Sequence, residues 1–418
     1  MDCDDCERGL RVWATGSARF ATRDPGDVRL LMRSQPIVAG VIAAIVGFAS
    51  SFTIVLAGLV AVGGSDRQAS SGLLVLSVSM GAVGMWASWS QRLPISIAWS
   101  TPGAALLVST GALDGGYRTA LGAFVVAGVL TVIAGLWRPL ARWIGMIPGP
   151  IASALLAGVL LPVCLFPAKS MVAEPWMTAP VILTWALLMR FARRWAVPGA
   201  LFAAVVAIGV GRADSAPDFV PSWPHLTLDA PLFDVGTMVG LGIPLFIVTM
   251  ASQNVAGMAV LRSFGFTPRL RPLLVATGAA TAAGASFGAH GINLAALTAA
   301  LVSSPDADPQ PDRRWIASFS CGVTYVAMGL FAGLATALVA TSPPILISAV
   351  AGLALIGALT GALAAAMADP ALRDAAVITL VVSASGITAF GITAPFWGLS
   401  AGLLFHSLGR IGQRGTRP

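Results

Sequence analysis

The stretch GASFGAHGINLAALTAAL, residues 284–301, places a histidine and an asparagine inside a long apolar region. Between Arg271 and Asp306 the chain has only 34 residues in which to cross a bilayer twice. Two complete transmembrane helices need about 40 residues and a loop. Extended chain rises about 3.3 Å per residue, so a few such residues would let a short helix start at mid-depth. The stretch therefore predicts a broken membrane span, with its break near residues 286–293.

The composition is that of a membrane protein with helical spans. Of 418 residues, 56% are hydrophobic and 10% are charged, and the mean hydropathy is +0.84. That leaves too few polar side chains to cover a soluble globule of this size. Apolar blocks of roughly 15–25 residues suit α-helices better than the alternating strands of a barrel. We predict an all-α polytopic membrane protein that needs no cofactor and, since no cluster of catalytic groups appears, is not an enzyme.

The apolar blocks between charged breaks number fourteen, or twelve if two pairs are re-entrant. They lie near residues 36–62, 70–89, 94–112, 119–136, 148–167, 176–190, 197–211, 234–258, 272–285, 288–304, 315–338, 345–367, 375–390 and 392–408. An acidic, proline-rich segment divides them into two sets of seven. The predicted organisation is a tail at 1–33, a first seven-span repeat at 34–211, an outer linker at 212–233, a second seven-span repeat at 234–409 and a tail at 410–418.

The distribution of basic residues predicts that both termini lie on the cytoplasmic side, because short cytoplasmic loops carry an excess of Lys and Arg. With fourteen spans, 21 of the 25 basic residues fall on the side of the N-terminus. The four on the other side are Arg67, Arg118, Lys169 and Arg212. Basic loops beside anionic lipid explain the isoelectric point near 10.2, so no nucleic-acid partner is predicted.

Seven spans per half give the second half the opposite polarity in the membrane, which is the arrangement of inverted-repeat transporters. The third span of the first half, PISIAWSTPGAALLVSTGAL at 94–113, corresponds in position to the opening stretch. Pro102 suits the first turn of a helix and would break its interior. We predict a second break near 96–103. Half-helices that start at these breaks would direct unpaired N–H groups and positive dipole ends at a shared site for an anion.

His290 is the titratable residue that we expect at depth, because the spans otherwise lack Asp, Glu, Lys and Arg away from their ends. An imidazole exchanges a proton near neutral pH, so His290 is a candidate for proton coupling. The alternative is a hydrogen-bonded structural histidine.

Two adjacent amides, Gln253 and Asn254, lie in the otherwise apolar stretch GIPLFIVTMASQNVAGM at 242–258. Amides at depth are costly unless they are hydrogen-bonded. They can bond a neighbouring helix, or one of them can face the cavity and bind a substrate carboxylate. The other candidates for substrate binding are Ser51, Trp99, Ser100, Thr101, Phe287, His290, Gly291 and Asn293.

Cys3 and Cys6 form a CxxC pair in the N-terminal tail. No second pair or nearby histidine completes a metal site, so we predict no bound metal.

Three stretches resemble the benzoate/proton symporter family of bacterial inner-membrane transporters. They are MASQNVAGMAVLRSFGFTP at 250–268, FGAHGINLAALTAAL at 287–301 and GITAPFWGLSAGLLFHSLG at 391–409, and the likeness extends over about residues 30–410. The resemblance also implies a relationship to nucleobase and sulfate-type transporters. This relationship implies seven-plus-seven inverted repeats, core and gate domains, and paired half-helices in the third and tenth spans. Where nucleobase relatives carry acidic residues, this chain has Gln253–Asn254 and His290–Asn293.

The resemblance implies import of benzoate or a related aromatic carboxylate with a proton, by alternating access, across the bacterial inner membrane. The linker at 212–233 would then be periplasmic. A nucleobase or inorganic-anion transporter of the same fold remains an alternative, because fold does not fix substrate, and an anion channel is another. Faces rich in Gly and Ala can serve a homodimer or internal packing alone.

Overall fold

The computed structural model describes residues 25–137, 139, 146–211, 223–340, 342–390 and 392–415. Cys3, Cys6 and the first half of the linker lie outside the described residues. Six helical segments of the described chain are long and apolar enough to cross a membrane, where Ser34–Ala61 and Gly149–Ala173 each count as one segment. The prediction of a mainly helical membrane protein is confirmed.

The helices and strands follow one another in this order. They are α1 Pro25–Ala49, α2 Phe52–Ala61, α3 Asp66–Gln91, β1 Ile97–Trp99, α4 Thr101–Thr110, α5 Tyr117–Leu136, α6 Gly149–Cys164, α7 Phe166–Ala173, α8 Pro175–Phe191, α9 Ala196–Gly211, α10 Val235–Ser263, α11 Leu270–Gly284, β2 Ile292–Leu294, α12 Leu297–Ser303, α13 Trp315–Gly329, α14 Ala332–Ala340, α15 Pro344–Ala366, α16 Arg373–Ala384, β3 Thr388–Ala389, β4 Ile392–Thr393 and α17 Ala394–Gly415.

Extended chain followed by a short helix occurs at both positions where the sequence predicts a break. In the first, β1 leads into α4, whose first turn holds Pro102. In the second, β2 leads into α12, which begins at Leu297. This second helix starts later than the predicted break at 286–293 implies. Pairing with β1 keeps Ile292–Leu294 extended, so His290 and Asn293 precede the helix and do not start it.

Helix α10 contains two turns with π-helical hydrogen bonding, at Met238–Gly242 and Met250–Asn254. The second turn includes Gln253 and Asn254. In a π turn the backbone hydrogen bond spans five residues instead of four, and such turns are frequent at functional sites. The span expected at 36–62 is likewise irregular, since it divides into α1 and α2 at Ser50–Ser51.

Two helix pairs cross closely at glycines. Helix α3 packs along α13, and α5 packs along α11. A Cβ on Gly81 would lie 2.5 Å from the carbonyl oxygen of Gly322, and one on Gly278 would lie 2.7 Å from that of Gly128. Any larger residue would therefore push these backbones apart. Helices α1–α5 and α10–α14 pack together in this way and enclose the β1–β2 pair.

The remaining helices make a second group. Helix α6 packs along α15 and α16, α16 packs along α17, and α8 packs along α9. The two groups meet where α4 contacts α6 and where α2 contacts α15. The strand pair therefore lies next to the boundary between the groups.

Candidate functional site

The centre of the site is the antiparallel pair of β1 and β2. Ala98 lies opposite Asn293, and Trp99 lies opposite Ile292. The pairing continues at both ends, because the Ser100 N–H donates to the Gly291 carbonyl at 2.9 Å and the Ala295 N–H donates to the Ser96 carbonyl at 3.0 Å. Backbone groups in both broken spans are thus satisfied by each other, which is a requirement for non-helical chain at membrane depth.

Ser100 connects three elements. Its Oγ caps α4 by accepting the Gly103 N–H at 3.1 Å, and it shares a hydrogen bond with the Thr249 hydroxyl of α10 at 2.9 Å. Its carbonyl lies 2.9 Å from His290 Nε2. Thr249 is a site residue that the sequence did not indicate, because a threonine in an apolar helix ordinarily bonds its own backbone.

His290 is completely buried. Because Nε2 faces a carbonyl oxygen, this nitrogen carries the hydrogen and donates it to Ser100, and Nδ1 keeps the lone pair. Nδ1 has no hydrogen-bond partner among the described residues. The Phe124 ring of α5 lies edge-on to the imidazole, with the centroids 6.2 Å apart. His290 therefore has both a structural hydrogen bond and a free proton acceptor.

Two asparagines hold the backbone of β2. Asn254 Oδ1 accepts the Leu294 N–H at 3.0 Å, and its Nδ2 donates to the Met250 sulfur at 3.2 Å. In the amide orientation that satisfies both of its atoms, Asn293 accepts from the Ser100 N–H at 3.2 Å and donates to the Leu294 carbonyl at 2.9 Å. Both side chains are buried. Asn254 thus bonds the backbone of β2 and a side chain of its own helix.

Gln253 and Thr101 differ from these buried residues. Both are half-buried, and neither side chain forms a hydrogen bond within the described part of the chain. Gln253 lies in the π turn that packs against β2, and Thr101 is the first residue of α4. Together with His290 Nδ1, their side chains are the polar groups of candidate residues that are not hydrogen-bonded within the described part of the chain.

Ser51 and Trp99 contact each other directly. The Trp99 indole N–H donates to Ser51 Oγ at 2.9 Å, and its ring lies 5.2 Å from that of Phe48. Phe287 is not brought to this cluster. It belongs to a short turn after α11, where its carbonyl accepts the Ser71 hydroxyl of α3 beside the linker.

No group of three His, Cys, Asp or Glu side chains among the described residues could hold a metal ion.

Solved structures identify the fold as that of a membrane transporter. The transmembrane domain of the cyanobacterial bicarbonate transporter BicA matches with a TM-score of 0.57 at 14% identity, over 88% of this chain and 98% of that one. SLC26A9 matches with a TM-score of 0.58 at 15% identity, over 90% of this chain and 66% of that one. At these identities the likeness establishes the fold alone.

Sequence comparison identifies the family. The family model for benzoate membrane transport proteins, BenE, matches residues 32–408. The inner membrane protein YdcO of Escherichia coli is 36% identical over 88% of this chain and 93% of its own length. The benzoate membrane transport protein of Acinetobacter baylyi is 29% identical over the same shares. The chain therefore belongs to the BenE family of membrane transporters, as the sequence resemblance indicated.

Proposed function

We propose that this transporter imports benzoate or a related aromatic carboxylate, together with a proton, across the bacterial inner membrane. The observation that carries the proposal is the pairing of two broken spans beside a buried histidine, in a chain of the BenE family. One nitrogen of this histidine has no partner among the described residues. Relatives named as a benzoate transport protein and as an inner membrane protein support the substrate class and the location.

The helix contacts support fourteen spans in two inverted repeats. In such a repeat, each span of the first half corresponds to the span seven positions later. Helix α3 then corresponds to α11, and α5 corresponds to α13. The contact of α3 with α13 should therefore have a counterpart in the contact of α11 with α5. Both contacts occur, and both cross at glycines. On this proposal α1–α5 and α10–α14 form the core domain and the other helices form the gate domain. Alternating access is then a movement of one group against the other, where α4 meets α6 and α2 meets α15.

The substrate carboxylate would lie at the N-terminus of α4, where the helix dipole favours an anion. Thr101 and Gln253 would bond it, because their polar groups are not engaged elsewhere. The aromatic ring of the substrate would pack against apolar side chains that include Trp99, whose own ring contacts Phe48. In this arrangement Ser100, Asn254 and Asn293 hold the surrounding backbone, Ser51 holds the Trp99 side chain, and none of the four binds the substrate. One chain supplies the whole site, which is compatible with a monomer or a homodimer.

His290 Nδ1 would carry the coupled proton. Protonation there leaves the bond from Nε2 to Ser100 intact and places a positive charge beside the carboxylate, so that proton and substrate stabilise each other. The alternative route is protonation of the substrate carboxyl itself in a desolvated pocket.

The proposal is tested by uptake of radiolabelled benzoate into proteoliposomes, with and without an inward proton gradient. We expect accumulation that the gradient drives and a protonophore abolishes, above the level in protein-free vesicles. Absence of uptake by correctly folded protein would contradict the benzoate proposal and leave the fold unaffected. Competition with unlabelled uracil, sulfate and bicarbonate separates the proposal from the nucleobase and inorganic-anion alternatives. Uptake that follows the substrate gradient alone, with large conductance, would instead indicate a channel.

A further inference from the structure

A cavity of about 170 Å³ opens at the end of the molecule where α3 begins, away from the strand pair. It lies between α3, α14 and the linker that precedes α10. Its lining residues are Asp66, Arg67, Ser70, Trp223, His225, Thr336 and Ala337. By the distribution of basic residues, this end faces the periplasm.

Hydrogen bonds hold the linker against the rest of the molecule just after its two lining residues, Trp223 and His225. The Thr227 N–H donates to Ser71 Oγ at 3.1 Å, and Gln68 Nε2 donates to the Asp229 carboxylate at 2.9 Å. Further along, the Asp229 N–H donates to the Ser286 carbonyl and the Leu232 N–H donates to the Arg118 carbonyl. The linker is therefore held beside the cavity from Thr227 onward, which limits how far this side of the cavity can move.

Two groups in the cavity wall suit a carboxylate. Arg67 is exposed, and its guanidinium forms no ion pair or hydrogen bond with the described residues. Ser70 is 6% exposed, and its hydroxyl lacks a partner in the described part of the chain. A buried hydroxyl without a protein partner is able to hydrogen-bond a ligand. A guanidinium binds a carboxylate through two parallel hydrogen bonds.

The other features suit a single aromatic ring. The Trp223 side chain is 73% exposed at the cavity mouth, so its face is available for stacking. A cavity of about 150 Å³ is large enough to bind benzene, and this one is slightly larger. The Asp66 carboxylate lies in the first turn of α3 and would repel the carboxylate of a ligand. The charged end of the ligand is therefore restricted to the side of Arg67.

We propose that this cavity is a periplasmic capture site for a single-ring carboxylate, which it binds before the substrate reaches the strand pair. Arg67 and Ser70 bind the carboxylate and Trp223 stacks on the ring. The inference rests on the proposed function, because it takes the transported substrate as its ligand.

The test compares initial rates of labelled benzoate uptake by intact cells that express the full chain. We expect R67Q and W223A each to raise KM by roughly 3- to 10-fold and to leave kcat unchanged. This is the effect expected when one exposed charged or stacking contact is lost. R67K should recover only part of the affinity, because an ammonium cannot form the paired hydrogen bonds. The matched control is K169Q, which removes another predicted periplasmic charge outside the cavity and should leave KM unchanged.

Three results would overturn the capture site while leaving benzoate transport established. One is an unchanged KM in both R67Q and W223A. Another is an equal rise of KM in K169Q, which would indicate general attraction of anions. The third is full recovery by R67K together with a harmless W223A, which would indicate charge without a ring site. If cells expressing the wild-type chain do not take up benzoate, the proposed function and the capture site both fail.

Discussion

Asn254 shows how a polar side chain at membrane depth is used to hold backbone. Its Oδ1 is the acceptor for the Leu294 N–H of β2. We predict that N254L, which keeps the side-chain volume and removes the acceptor, destabilises the protein by about 1–3 kcal/mol, because a buried N–H is left unpaired. N254D retains an oxygen at that position but buries a carboxyl group, which costs free energy whether it stays charged or takes up a proton, so it should be destabilised as well. Thermal unfolding of the purified variants measures the difference, and an N254L variant as stable as wild type would contradict the assignment.

His290 can be separated into its structural and titrating functions by one substitution. A glutamine at 290 can still donate to the Ser100 carbonyl, whereas it cannot be protonated near neutral pH. We predict that H290Q abolishes proton-driven accumulation of benzoate and retains exchange of labelled for unlabelled benzoate across proteoliposomes. Loss of both activities would show that the imidazole serves binding or structure. Retained accumulation would place the proton on the substrate.

The sequence indicates which polar residues lie at the breaks, since few residues compete for that role in so apolar a chain. It does not give their partners, because these are far apart along the chain. Ser100 and Thr249, for example, are 149 positions apart. Phe287 is a candidate through its proximity to the break alone, and in the structure its carbonyl accepts the Ser71 hydroxyl of α3. Partner choice depends on how the helices pack, which the local pattern does not specify.

At the scale of helices, the glycine crossings set how closely the core packs. A Cβ on Gly278 would lie 2.7 Å from both the Gly128 carbonyl oxygen and the Val132 amide nitrogen. We predict that G278A forces α5 and α11 apart and costs about 1–3 kcal/mol. The control is G361A in α15, where an added Cβ meets nothing within 4 Å and a helical alanine should be neutral or stabilising by up to about 1 kcal/mol. Equal melting temperatures for the two variants would contradict this explanation.

The elements themselves were predictable to different degrees. Apolar length predicts the long helices, and the shortage of residues between Arg271 and Asp306 predicts extended chain. The π turns of α10 and the interruption at Ser50–Ser51 were not predicted. A π turn changes the hydrogen-bond partner of each residue without changing which residues are apolar, so composition carries no sign of it.

At the scale of the whole molecule, the helix bundle has two ends, and the arginine distribution predicts that they lie on opposite sides of the membrane. At one end, the Arg92 guanidinium lies 4.3 Å from the ring centroids of both Trp89 and Trp315, where α3 ends and α13 begins. At the other end, the linker is bonded to the starts of α3 and α5 through Gln68 and Arg118. The first end is arginine-rich, which predicts that it is cytoplasmic.

This orientation can be measured with single cysteines in a background that lacks the four natural ones. Asp114, in the loop before α5, and Asp312, just before α13, are both exposed and lie at opposite ends. We predict that a membrane-impermeant maleimide labels D114C in intact cells and labels D312C only after the inner membrane is permeabilised. Benzoate uptake by each variant is the control for native folding. Labelling of D312C in intact cells would reverse the orientation and would place the Arg67 cavity in the cytoplasm, where it could not capture external substrate.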